Sequence, residues 1–476
     1  MCDEPVTLDG MRSVSAAGFE PSGAYRDALR RLSDSFRAVP VGGSVRLAKR
    51  TSNLFRKRRQ GASGLDVSGL TGVLNVDPVG MTADVAGMCT YEDLVAATLP
   101  FRLCPLVVPQ LKTITVGGAV AGLGIESASF RNGLVHESVL EMDVLTGAGE
   151  IVTARPEGEH SDLFFGFPNS YGSLGYATRV RIQLESIKPY VALRHLRFSA
   201  LDHLQRVIDT IAESGFYDGE QVDYLDGVVF SREESYLTLG TLTDQPGPVS
   251  DYTGQRVFYR SLQQRRSDRL RIHDYLWRWD TDWFWCSRAF GLQRPLIRRL
   301  WPGRLRRSSF YWKLVAFDRR FRVTDRIGRF AGQPPLERVV QDVQIPVQGA
   351  AEFLTWFLDT VPIEPIWLCP VRMRADSAAA PRVWPLYRLD AGQTYVNVGF
   401  WSAVPVRPGS AAGETNRGIE NQVTAAHGRK SLYSDSFYTQ DVFAGLYGGE
   451  QYDTLKSRYD PQGRLLGLYA KTVDSR

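Results

Sequence analysis

Up to about residue 188 the chain alternates short apolar runs with tight turns. Ser44–Leu47, Gly64–Leu70 and Val73–Val79 read as strands, with Asp77-Pro78 as punctuation. A helix is predicted over Tyr91–Leu99, where Thr90 is the N-cap and Glu92 and Asp93 complement the positive end of the helix dipole. Glycine-rich turns follow over Thr113–Gly133, then a strand at Val139–Leu145, a turn at Thr146–Gly149 and a strand at Ile151–Ala154. After a second glycine-bearing turn, Ser161–Gly175, the strand Ala177–Leu184 sets Val180, Ile182 and Leu184 on one face and Arg179 and Arg181 on the other. Beyond Lys188-Pro189 the period changes, and Leu204, Val207, Ile208 and Ile211 recur at helical spacing over Leu201–Ser214. The pattern predicts an α+β chain of two domains: an N-terminal arm over 1–40, a first domain over 41–188 and a second over 189–476.

The 476 residues and 53.3 kDa agree with two packed domains rather than one core. The five cysteines are scattered and never spaced Cys-x-x-Cys, which argues against a disulfide framework or a zinc knuckle. The histidines likewise form no metal-ligand spacing, so no metal is expected. Met-Cys-Asp-Glu-Pro is acidic where a signal peptide is basic, and no apolar run approaches the roughly 18–20 residues of a spanning helix. A cytoplasmic protein is expected.

The densest chemical signal is Pro109–Ser127, which contains Thr115-Val116-Gly117-Gly118 and Gly122-Leu123-Gly124-Ile125. It is no Rossmann fingerprint, because Ser127 stands where the third glycine belongs. Positions without Cβ let backbone amides approach a diphosphate or a planar ring; the competing reading is a glycine-rich hairpin without a ligand. Upstream, Lys49, Arg50, Thr51, Ser52 and Asn53 offer charge-assisted and hydroxyl partners to phosphate, unless they form only a solvated basic turn.

In order along the chain, Thr115–Gly118, Gly122–Ile125, Asn132-Gly133, Thr146–Gly149, Ser161–Phe164 and Gly172–Tyr176 resemble the FAD-binding (PCMH-type) domain of the vanillyl-alcohol-oxidase superfamily. Gly124–Ser129, Val339–Asp342, Pro365–Pro370, His427-Gly428 and Tyr433-x-Asp435 resemble its Δ24-sterol reductase branch. The resemblance implies a PCMH-type FAD-binding domain followed by an α+β substrate (cap) domain whose C-terminal segment returns to the flavin. It implies noncovalent FAD held by the residues above together with Ser127, Gly172, Gly175 and Tyr176. It also implies NADPH as reductant and an isolated lipid C=C as substrate, either a sterol side chain or a methylene-branched fatty acyl chain. Related oxidases carry a covalent histidine in the first phosphate loop, and no histidine precedes His136 here; decaprenylphosphoryl-ribose oxidases have His where this chain has Ile125. An FAD oxidase or dehydrogenase, or a flavin-binding scaffold without turnover, are the competing readings.

Alkene reduction needs a proton donor beside the hydride source. The candidates are Glu126, His427, Lys430, Tyr433 and Asp435, each also readable as a hydrogen-bonded packing residue. Net charge is only +5, but residues 255–329 hold six of the ten tryptophans interleaved with arginines. This segment reads as a cover over the substrate pocket, as buried core, or as a surface docked on an anionic membrane. With no nucleic-acid motif beside it, nucleic acid is not expected. Oligomeric state is left open.

Overall fold

The computed structural model describes residues 20–49, 55–56, 61–254, 256–321, 332, 334–374 and 383–473. The fold is α+β and is built on two main sheets. In the first, the order is Val73–Asp77, Thr82–Ala86, Gly175–Ser186, Val139–Thr146, Ile151–Ala154, with Leu103–Pro105 also paired to Gly175–Ser186. The sequence reading made Gly64–Leu70 one strand, but only Ser63–Leu65 is strand. Asp66 captures the Ser68 amide at 2.8 Å and Gly69 takes a positive φ, so the chain turns there. Arg179 faces away from the core strip as expected, yet it is buried among Asp84, Glu141 and Asp143 rather than solvated.

The expected N-terminal arm contains a 15-residue helix, Gly23–Arg37. Ser22 caps it by accepting from the Tyr25 amide at 3.2 Å, and Tyr25, Ala28, Leu32 and Phe36 form one buried stripe. That stripe packs on Leu65, Leu145 and Leu465, so the helix belongs to the first domain.

The second sheet is antiparallel and has eight strands: Ser267–Arg271, Tyr190–Phe198, Glu234–Thr243, Tyr224–Ser231, Ile366–Arg372, Thr394–Pro405, Leu336–Pro346 and Arg429–Lys430. Strand alternation divides its side chains. Val343, Leu368, Val398 and Phe400 pack under the helices Leu201–Ser214, Ala350–Thr360 and Glu414–Ala425, whereas Trp367, Cys369 and Val371 point toward the first domain. The C-terminal helices return to that domain: Tyr459 donates to Asp162 at 2.7 Å, and the Val45 amide donates to the Arg464 carbonyl at 2.9 Å.

His136 is fully buried against Trp384, with ring centroids 4.4 Å apart, and neither ring nitrogen has a protein hydrogen-bond partner. Burial pushes its pKa down to about 3. An unfolded chain protonates this imidazole near pH 6.5 while the native one stays neutral, so stability falls as pH drops from 6.5 toward 3. His136→Leu is expected to flatten that acid limb. Urea midpoints at several pH values check this, and an unchanged acid limb would remove the assignment.

Candidate functional site

Two cavities of about 260 and 450 Å³ lie at the seam between the sheets and share Lys49, Gly118, Gly122 and Tyr171 in their walls. Their floor is the short helix Val116–Ala121. It is pinned in place because the Val116 and Gly117 amides donate to Cys89 and Gly87 carbonyls at 2.8 and 3.1 Å. Gly118 faces the junction of the cavities, where a Cβ would stand 2.7 Å from Thr115 Oγ1. Thr115 Oγ1 accepts from Lys49 Nζ at 3.2 Å instead of capping the helix. The turn 169–172 clamps the far end of the helix, with Tyr171 N donating to the Ala121 carbonyl at 2.7 Å. Asn169 and Tyr171 hold positive φ there, at 61° and 49°. Such strain in non-glycine residues costs on the order of 1–3 kcal/mol each and concentrates at functional sites.

The second cavity is lined by Arg46, Lys49, Arg56 and Lys471 and by no carboxylate among the described residues. The first is mostly apolar, walled by Leu111, Ile114, Leu123, Ile125, Trp283, Phe284, Trp367 and Trp401. Its polar groups include Thr113 Oγ1 and Gln110 Oε1, both buried without a protein partner. At its far side Tyr433 donates to Asp342 Oδ2 at 2.8 Å and accepts from Trp401 Nε1 at 3.0 Å. Asn397 Nδ2 donates to the other Asp342 oxygen at 2.8 Å. Burial pushes Asp342 up to about 6, against the opposing pull of these two donors. Burial also drives the Tyr433 phenol well above its ordinary range, so it keeps its proton at neutral pH. Gly399 makes the cluster possible: a Cβ there would lie 2.5 Å from Asp342 Oδ1 and 2.8 Å from the Trp401 ring.

Of the predicted cofactor residues, Lys49, Thr115, Gly117, Gly118, Gly122, Leu123, Gly124, Ile125, Gly172 and Tyr176 line one or both cavities. Val116 is buried beneath the floor, and Gly175 lies in a strand, packed on Val144. Ser127 is turned away toward Glu126 and Tyr275, at 2.7 and 2.8 Å. Arg50, Thr51, Ser52 and Asn53 lie outside the described residues.

Among the catalytic candidates, Tyr433 alone lines either of these two cavities. Ser431 and Tyr433, in the turn that follows the two-residue strand Arg429–Lys430, line the first cavity, while Lys430 points the other way, 3.1 Å from Glu420. Lys430 also donates to the Asp435 carbonyl at 2.6 Å, which makes both residues structural. His427 is exposed at a helix end with φ of 54°. Glu126 stands behind the wall, accepting from Gln110 Nε2 at 2.8 Å, Ser127 Oγ at 2.7 Å, the Ala128 amide at 3.1 Å and Arg278 at 3.3 Å. It positions Gln110. The sequence reading missed Tyr171, Lys471 and Trp401, included Gln110 and Thr113 in the glycine-rich stretch without giving them a role, and noted Asp342 without assigning it chemistry.

Trp277, Trp279, Trp283 and Trp285 of the Trp/Arg-rich segment are buried, and Trp283 lines the first cavity. Arg278 and Arg298 are buried as well, in ion pairs with Asp226 and Asp282 at 2.8 and 2.6 Å. Among the described residues no helix is long and apolar enough to cross a membrane, and no group of three His, Cys, Asp or Glu is arranged to hold a metal ion.

Residues 36–155 match the family described as an FAD binding domain. The Delta(24)-sterol reductase of Arabidopsis thaliana is 24% identical over 455 residues, covering 87% of this chain and 77% of that protein. The Homo sapiens protein of the same name is 24% identical over 420 residues, covering 86% and 75%. Cytokinin dehydrogenase 10 of Oryza sativa is 34% identical over 187 residues, covering 38% of this chain and 34% of that protein.

The residues present fit FAD. The unpartnered Gln110 Oε1 accepts and Thr113 Oγ1 donates, as the edge of a planar heterocycle requires, and the basic second cavity suits a diphosphate. Gly118→Leu fills the junction of the two cavities and is expected to weaken FAD retention by at least about tenfold. Flavin absorbance per protein checks this; an unaltered ratio would contradict the placement. The chain carries a PCMH-type FAD-binding domain and is similar over 86% of its length to Delta(24)-sterol reductases, which makes it an FAD-binding oxidoreductase.

Proposed function

We propose that this protein reduces an isolated C=C bond of a lipid, a sterol side chain or a methylene-branched fatty acyl chain, using noncovalent FAD and electrons from NADPH. The observation that carries this reading is the Asp342–Tyr433 pair, an acid relay in a cavity walled mostly by apolar and aromatic side chains. An unactivated alkene offers the protein nothing to hydrogen-bond, so such a wall binds it by contact while one group holds a proton. FAD, when bound, supplies the hydride for one alkene carbon. Tyr433 supplies the proton for the other, and Asp342 replaces it. Trp401 Nε1 donates to the phenol oxygen and stabilises the charge it gains as the proton leaves. The buried walls exclude water, which keeps the proton on its intended path. Noncovalent binding is supported by Ile125 at the cavity wall and by Cys286, whose thiol burial pushes up to about 12 and so keeps protonated at neutral pH.

Anaerobic titration tests the proposal. NADPH is expected to bleach the flavin absorbance, and a methylene-branched acyl lipid or desmosterol to restore it. Which lipid restores it assigns the substrate. Rapid reoxidation by O2 with peroxide release, and none by either lipid, would replace this reading with the oxidase one. Absence of any substrate-dependent reoxidation would leave a flavin-binding scaffold.

A further inference from the structure

Between Asp282 and Asp318 the sequence holds seven arginines and one lysine and no acidic residue. Several of these charges are already engaged. Arg298 is buried against Asp282, Arg306 donates to the Gly254 carbonyl at 2.9 Å, and Arg307 pairs with Glu92 at 2.7 Å. Arg294, Arg299 and Arg304 remain exposed. Amid them the helix Pro295–Leu300 presents Leu296 and Leu300 to solvent at 78% and 84% exposure, among the most exposed large apolar side chains of the described residues. Exposed apolar side chains flanked along the chain by exposed cations fit a bilayer interface, where the apolar tips enter the acyl boundary and the cations meet phosphate.

We infer that this helix docks the protein on a bilayer carrying anionic phospholipid headgroups. Two leucines cover far less than the roughly 800 Å² per partner of a stable protein interface. A second copy would also set this uniformly basic patch against its like. The same helix is tied by Arg298 to Asp282, the residue before Trp283, so the docked surface sits one ion pair behind an aromatic wall of the first cavity. A protein that takes its substrate at the interface spares each CH₂ of a lipid a transfer through water.

Flotation of the FAD-loaded full chain tests this without reference to turnover, so it stands or falls apart from the proposed reaction. Vesicles of phosphatidylglycerol at about 50 mM salt are expected to carry the protein, and vesicles of phosphatidylcholine, or phosphatidylglycerol at about 500 mM salt, to leave most of it behind. Leu296→Ser with Leu300→Ser, and separately Arg299→Ser with Arg304→Ser, are expected to lower partitioning about tenfold with flavin content unchanged. Wild-type protein that does not float, equal binding to both lipids, or flotation of the leucine variant at the wild-type level would overturn the inference. So would a dimer in sedimentation that the leucine variant dissolves.

Discussion

Tyr433→Phe is expected to keep its FAD and its rate of reduction by NADPH, and to lose lipid-dependent reoxidation by about 10²–10⁴-fold, the range general acid catalysis contributes. The phenylalanine ring retains the edge contact with Phe55, whose ring lies 5.9 Å away, so the cavity wall is preserved and only the hydroxyl is removed. Stopped-flow traces of the two half-reactions separate these effects. A loss below about threefold in the lipid step would show that the proton comes from elsewhere.

The same pair fixes a pH dependence. Asp342 titrates near 6 because burial outweighs the bonds from Asn397 and Tyr433. Protonated, it donates to Tyr433 and frees the phenol hydrogen for the cavity; ionised, it draws that hydrogen to itself. The lipid step is therefore expected to quicken as pH falls through about 6 and to level below it. Asp342→Asn removes that limb. Its effect on stability has the opposite sense. The native acid holds its proton more tightly than an unfolded one near 3.9, so ionisation penalises the fold as pH rises from about 4 to about 6. Asp342→Asn is expected to stabilise the protein at pH 8 by up to about 3 kcal/mol and to do little at pH 4. Residues that function needs are often ones stability would discard.

Much of the floor of the site was legible because glycines leave a local mark. Thr115–Gly118 and Gly122–Ile125 were readable as a cradle, and the structure places most of them on the cavity walls. The opposite wall was not legible, because it depends on register between distant strands. Asp342 sits in a run of valines that reads as an ordinary strand. Its pairing to Gly399, and the return of Tyr433 from 91 residues away, make it chemical. Tyr171 escaped notice because a positive φ in a tyrosine has no sequence signature. Charge was misleading in a different way. Arg298 stood with the other arginines of the Trp/Arg-rich segment and Arg278 was not singled out, yet their carboxylates come from 16 and 52 residues earlier and draw them into the core.

Arg278 carries the largest expected effect on stability. It is fully buried, with its guanidinium carbon over the Tyr275 ring 3.9 Å from the centroid, and joins three separate parts of the chain. Glu126 comes from the glycine-rich segment at 3.3 Å, Asp226 from the strand Tyr224–Ser231 at 2.8 Å, and Arg278 itself from the aromatic segment. Trp279 and Trp367 also donate to Asp226, at 3.2 and 3.3 Å. Burial pushes Asp226 upward and Arg278 opposes that shift, so removing the guanidinium strands two carboxylates away from water. Arg278→Met is accordingly expected to cost about 3–5 kcal/mol. Because Glu126 holds Gln110 at the first cavity, the variant should also bind FAD less tightly. Combining it with Glu126→Gln and Asp226→Asn removes the stranded charges and is expected to recover most of the loss, since a neutral replacement of a buried ion pair is often tolerated. Urea unfolding of the single and triple variants decides between these accounts: a single-variant loss under about 1 kcal/mol, or a triple variant no more stable than the single, would mean that the triad does not hold the seam together.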